Sequence, residues 1–173
     1  MLKYVIFKTK WGYFGLAGAE YALYRTCLPA AKVDKVKIRL VGNLPGITFD
    51  KTYFAALQEQ IAAYFEGVCV NFASDIPVML DRFTEFQKAV LIASRSVRFG
   101  QTTTYGELAK KLGRPAAARA VGNALAKNPL PLIIPCHRVI RSDGLLGGFS
   151  ALGGLSLKRR LLAQEQKCLR ADL

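Results

Sequence analysis

A chain of 173 residues with 51% hydrophobic content is long enough to bury the core of one large domain or two small ones, which excludes a disordered protein. Charges interrupt the apolar residues too often for a bilayer-crossing run, and the first eight residues lack the order of a secretory signal, so a cytoplasmic location is expected. The net charge of +13 is uneven: residues 1–81 carry nine Lys/Arg against seven Asp/Glu, whereas residues 82–173 carry sixteen against five, so the second half attracts polyanions, nucleic acid first and an acidic membrane surface second.

The first thirty residues alternate apolar and polar positions on either side of Trp11-Gly12, which predicts two or three short antiparallel strands. Residues 36–41 read as a further strand. Asp50 reads as the N-cap of an amphipathic helix over residues 50–65, with Phe54, Leu57, Ile61 and Phe65 on one face. Ser74-Asp75-Ile76-Pro77 then marks a connection, giving domains 1–80 and 81–173 in an α+β protein.

Beyond the connection the pattern is helical. Phe83, Phe86, Val90 and Val97 recur at helical spacing until Gly100. Thr104 and Glu107 form a capping box, predicting a helix of about two turns that ends at Gly113. Arg114-Pro115 restarts the chain, with the proline at a first helical position, into a helix over residues 116–127. Two short helices around a Gly turn fit a helix-turn-helix, and equally a tightly packed helical pair. The second is almost all small residues, with Arg119 the one long cation among alanines, so little stands between its backbone and a groove.

Four cysteines (Cys27, Cys69, Cys136, Cys168) at wide spacing fit neither a disulfide framework nor paired zinc ligands, and the only histidine, His137, adjoins Cys136. No metal or cofactor is expected. In Ile133-Ile134-Pro135-Cys136-His137-Arg138-Val139-Ile140 an apolar run and a proline bury a thiol that would ordinarily be inert. An adjacent base and cation supply what a thiolate nucleophile needs.

Pro135-Cys136-His137-Arg138-Val139 resembles the active-site signature of the O6-alkylguanine-DNA alkyltransferases. The likeness extends over residues 86–165, through Phe86-Gln87, Gly100-Gln101-Thr102, Thr104-Tyr105-Gly106-Glu107-Leu108-Ala109, Arg119-Ala120-Val121-Gly122, Asn128-Pro129 and Leu161-Leu162-Ala163-Gln164-Glu165. The family resemblance implies a small N-terminal ribonuclease-H-like α/β domain followed by a mainly helical C-terminal domain with a winged-helix-like helix-turn-helix. Some relatives bind zinc in the first domain, but this chain lacks the histidines. Leu91, Arg98 and Phe149 stand where tryptophan, proline and tyrosine are usual, which bears on the room for bulky alkyl groups.

The resemblance also implies roles. Cys136 is the acceptor of an alkyl group from O6-alkylguanine in duplex DNA, acting once, with O4-alkylthymine a second candidate substrate. His137 takes the thiol proton through a water, Glu165 orients the imidazole, Tyr105 donates to the leaving purine, and Asn128 braces the link to the active-site strand. Arg119 fills the gap left by a flipped nucleotide while Gly106, Ala118, Arg114 and Ser142 meet the DNA. Val139, Ser150, Phe149 and Tyr105 form the base pocket. The protein is expected to work as a monomer. A non-catalytic lesion binder, a major-groove transcription factor and a thiol hydrolase are the competing classes. Retention of Cys136 counts against the first, and a helix poor in base-reading side chains against the second. The third would turn over, as a thioether does not.

Overall fold

The alternating segment at the start folds into three antiparallel strands, β1 (Leu2–Thr9), β2 (Gly12–Ala19) and β3 (Ala22–Ala30), turning at Lys10-Trp11 and Glu20-Tyr21. The computed structural model describes residues 1–72 and 74–171, and the chain divides into two compact units, Met1–Met79 and Leu80–Leu173. In the first, the strand order is β3-β2-β1-β4, where β4 (Thr48–Phe49) runs parallel to β1.

Residues 36–41 are not a strand: they belong to α1 (Val33–Val41). The alternation Val36, Ile38, Leu40 would place all three inside, yet Ile38 is 71% exposed while Val36 and Leu40 are buried. The competing helical spacing prevails because Val36 and Leu40 occupy the space above Gly15, where a Cβ would come within 2.8 Å of either side chain. Phe14, next to Gly15 and so on the opposite face of β2, packs against Phe65 of α2 (Ala55–Glu66). Both faces of the sheet are therefore covered, which explains why β2 is a continuous buried run.

Asp50 caps a turn, not a helix. Its Oδ1 accepts from the Thr52 backbone at 2.9 Å and the Thr52 hydroxyl at 2.7 Å. Phe54 lies in the left-handed region with φ 51°, so α2 starts only at Ala55, with Leu57, Ile61, Tyr64 and Phe65 buried.

The second unit opens with a capping box not anticipated above, Thr84 with Gln87, which starts α3 (Glu85–Ser94). This helix stops short of Gly100. The Ser94 and Ser96 hydroxyls donate to the carbonyls of Leu91 and Ala93, local bonds that compete with helix continuation. Next come β5 (Thr103–Thr104), α4 (Tyr105–Lys111), α5 (Ala118–Ala126), a 3₁₀ turn at Cys136–Arg138, β6 (Val139–Ile140) and α6 (Gly154–Ala171). The Thr104–Glu107 capping box is present at the start of α4. Pro115 is not at a first helical position: the Ala117 N–H donates to Arg114 O at 2.9 Å, closing a turn, and α5 begins after it. Among the described residues no helix is long and apolar enough to cross a membrane.

Candidate active site

Two short strands bring the site together. β5 and β6 pair in parallel, Thr103 with Val139 and Thr104 with Ile140. Because β5 leads directly into α4 and β6 leaves directly from the 3₁₀ turn, this pairing sets Tyr105 beside the turn that carries Cys136. Between them lies a pocket of about 730 Å³. Cys136, 9% exposed, contributes to its wall. Tyr105, Gly106, Ala118 and Arg119 line it from α4 and α5, and Ser142, Phe149 and Ser150 from the loop before α6. The Ser150 hydroxyl donates to Ala126 O at 2.7 Å, tying that loop to the end of α5.

The remaining expected residues stand apart from the lining. Arg114 is exposed, with its guanidinium 5.3 Å from the centre of the Phe86 ring. Val139 is buried. Asn128 braces the approach to the cysteine: its Nδ2 donates to Ile134 O at 2.8 Å and its Oδ1 accepts from Leu130 N at 3.0 Å. The segment it spans includes Leu132 at φ 80°, a conformation that costs a branched residue about 1–2 kcal/mol and persists only where neighbours enforce it.

Behind the cysteine, His137 and Glu165 are fully buried, with His137 Nε2 2.8 Å from Glu165 Oε1. Nε2 therefore carries the proton and donates to the carboxylate, leaving Nδ1 as the basic nitrogen; it is buried without a hydrogen-bond partner among the described residues. Glu165 is also gripped by Arg138, through Nε at 3.0 Å and Nη2 at 3.0 Å, and by the Gly100 N–H at 2.9 Å. Burial pushes this carboxyl up, but the hydrogen bonds and charges of His137 and Arg138 outweigh it and bring it down to about 2.

Burial lowers His137 despite the opposing pull of Glu165, so the imidazole is neutral near pH 7 and able to accept a proton. Burial raises the Cys136 thiol, partly countered by a hydrogen bond from Asn128 and by the charge of Lys158. Tyr105 is raised by burial and by Cys136, and so remains a phenol donor. Among the described residues no cluster of three or more His, Cys, Asp and Glu is placed to hold a metal.

Sequence reasoning missed three features. Arg138 clamps Glu165. Gly147 lies against the Tyr105 hydroxyl, where a Cβ would come within 2.6 Å. Lys158 is fully buried behind the pocket. The signal for Lys158 was present: with Leu161 and Glu165 it falls at i, i+3 and i+7 of α6, so two charges sit on the face a helix buries.

A pocket-wall thiol, a histidine behind it with one free basic nitrogen, and a carboxylate fixing that histidine define a protein built for nucleophilic attack by cysteine. The family described as 6-O-methylguanine DNA methyltransferase, DNA binding domain, matches residues 85–167. The methylated-DNA–protein-cysteine methyltransferase of Methanosarcina acetivorans is 39% identical over 166 residues, covering 95% of this chain and 99% of that protein. The crystal structure of the O6-methylguanine methyltransferase of Mycobacterium tuberculosis superposes with a TM-score of 0.79 at 34% identity, covering 96% of this chain and 94% of that one. A DNA complex from the same organism gives 0.78 at the same identity and coverage. The chain belongs to the methylated-DNA–protein-cysteine methyltransferase family.

Proposed function

We propose that this chain repairs DNA by moving the alkyl group of O6-alkylguanine onto Cys136, once per molecule. The observation that carries this reading is the buried His137–Glu165 pair directly behind a pocket thiol, with His137 Nδ1 left free to accept a proton. The thiol proton passes to Nδ1 through a water. The thiolate attacks the alkyl carbon, an S–C bond forms, and the C–O6 bond breaks with its electron pair left on guanine. Tyr105 donates a proton to the purine, so no net charge stays on the base. A thioether is a poor leaving group, and the cysteine is not regenerated.

Access to a carbon inside a duplex requires the nucleotide to rotate out of the stack. Arg119, exposed at the edge of the pocket on a helix of small residues, is suited to take the vacated space from the minor groove. Arg114, Ser142, Gly106 and Ala118 then meet the backbone. The carbonyls of Cys136 and Val139, with the Ser150 N–H and the Phe149 ring, hold the base, and O4-alkylthymine is the alternative substrate to try in the same pocket. With this reading go a ribonuclease-H-like first domain (1–80), a winged-helix-like second domain (81–173), and a monomer working in the cytoplasm, at the nucleoid in a prokaryote.

Incubation with duplex DNA carrying O6-methylguanine should add one methyl mass to the peptide containing Cys136 and then stop. Multiple turnovers, or label on Cys27 instead, would contradict it.

A further inference from the structure

α5 meets the pocket with two rows of side chains at i, i+4 spacing. Ala118, Gly122 and Ala126 form one row, Arg119 and Asn123 the other, and all of them line the cavity. The side chains of the first row offer no hydrogen bond. In the second, Arg119 already has a task, whereas Asn123 takes no part in the steps above. It is exposed, and neither its amide oxygen nor its amide nitrogen has a partner among the described residues.

Across the pocket, polar groups are committed to one another. Arg141 Nε and Nη2 donate to the Asp143 carboxylate at 3.2 and 2.7 Å, and the Ser150 hydroxyl is bonded to Ala126 O. Asn123 instead carries a donor and an acceptor side by side, both open to whatever enters the groove. A neutral amide suits a phosphate less well than the many cations of this half do. It suits a base edge. In the minor groove A·T and T·A pairs show only acceptors, whereas guanine adds an amine donor at N2 beside its N3 acceptor. An amide can accept from N2 and donate to N3 of guanine; against an A·T pair its oxygen faces another acceptor and stays unpaired.

The place of Asn123 along the helix fits a neighbour of the lesion better than the lesion itself. Four residues at about 1.5 Å each set it about 6 Å along α5 from Arg119, roughly one to two base steps of about 3.4 Å. Resting on the proposed placement of α5 in the minor groove, we propose that Asn123 is a specificity residue. It reads the N2–N3 edge of a guanine within two steps of the O6-alkylguanine, so that flanking sequence sets the rate of repair.

The test uses duplexes in which a guanine, placed in turn at each position within two pairs of O6-methylguanine on either strand, is replaced by inosine, which lacks only the N2 amine. Methyl uptake on Cys136 is timed with protein in excess for the parent chain, Asn123→Ala and Asn123→Leu. Comparing the guanine-to-inosine rate ratio between proteins cancels the weaker pairing of inosine. At one position the ratio should be at least about fivefold higher in the parent than in either variant. Leucine nearly matches asparagine in size without its hydrogen bonds, so a ratio kept in Asn123→Leu and lost in Asn123→Ala would mean that the side chain acts by bulk, and would overturn the proposal. Equal ratios in all three proteins at every position would overturn it too, while leaving transfer to Cys136 intact. Methyl uptake from none of the duplexes would instead overturn the reading of Cys136 as acceptor, and this proposal with it.

Discussion

Glu165 serves two partners at once, fixing the tautomer of His137 and neutralising Arg138, whose Nη1 also reaches Val97 O at 2.7 Å. A carboxyl held at about 2 in the folded chain, against an ordinary 4.5, binds its proton more weakly folded than unfolded. Its contribution to stability is therefore present above about pH 4.5 and is lost as pH falls toward 2; the displacement corresponds to on the order of 3 kcal/mol. In Glu165→Gln, which keeps the shape and removes the charge, Arg138 is left buried without an anion. Urea unfolding should show the variant weaker by on the order of 3 kcal/mol at neutral pH, with the gap closing as pH approaches 2. A gap that stays constant down to that pH would mean the carboxylate charge does not hold this corner together.

At the level of elements, the pocket depends on how α4 and the loop before α6 meet. Gly147 has φ 70°, and a Cβ there would fall 2.6 Å from the Tyr105 hydroxyl and 2.9 Å from its ring. Gly147→Ala should therefore displace Tyr105 and strain the loop, slowing methyl transfer by at least about tenfold while duplex binding changes much less. Equal losses in both would place the glycine's importance in folding instead. The start of α4 was legible because Thr104 and Glu107 are a local signal, satisfied within one turn. Gly147 was not, because its constraint comes from a tyrosine forty-two residues away, brought near by the two-residue ladder of β5 and β6. The same distinction accounts for α1. Its sequence supports either period, and a partner surface above Gly15, remote in the chain, decides between them. Motif order singles out Cys136, His137 and Glu165, which the fold brings together, whereas the grip of Arg138 on Glu165 depends on the approach of α6 to the 3₁₀ turn, which no local pattern encodes.

Across the whole molecule, the excess of sixteen cations over five anions in residues 82–173 makes DNA encounter a property of the half that carries the pocket. Binding that neutralises phosphates releases counterions, so affinity should fall steeply with salt, whereas the chemical step in a buried pocket should not. With about four phosphates engaged, raising NaCl from about 50 to about 200 mM should weaken duplex binding roughly 100-fold, and leave transfer from free O6-methylguanine nearly unchanged. Arg114 gives the sharper test. It is exposed and stacked on the Phe86 ring, outside the pocket lining, and the proposed function sets it on a phosphate. Arg114→Ala should lower the slope of log affinity against log salt by about 0.9 and weaken all duplexes alike, damaged or not. An unchanged slope would remove Arg114 from the phosphate contacts. Loss confined to damaged duplexes would move it from backbone positioning to recognition of the lesion.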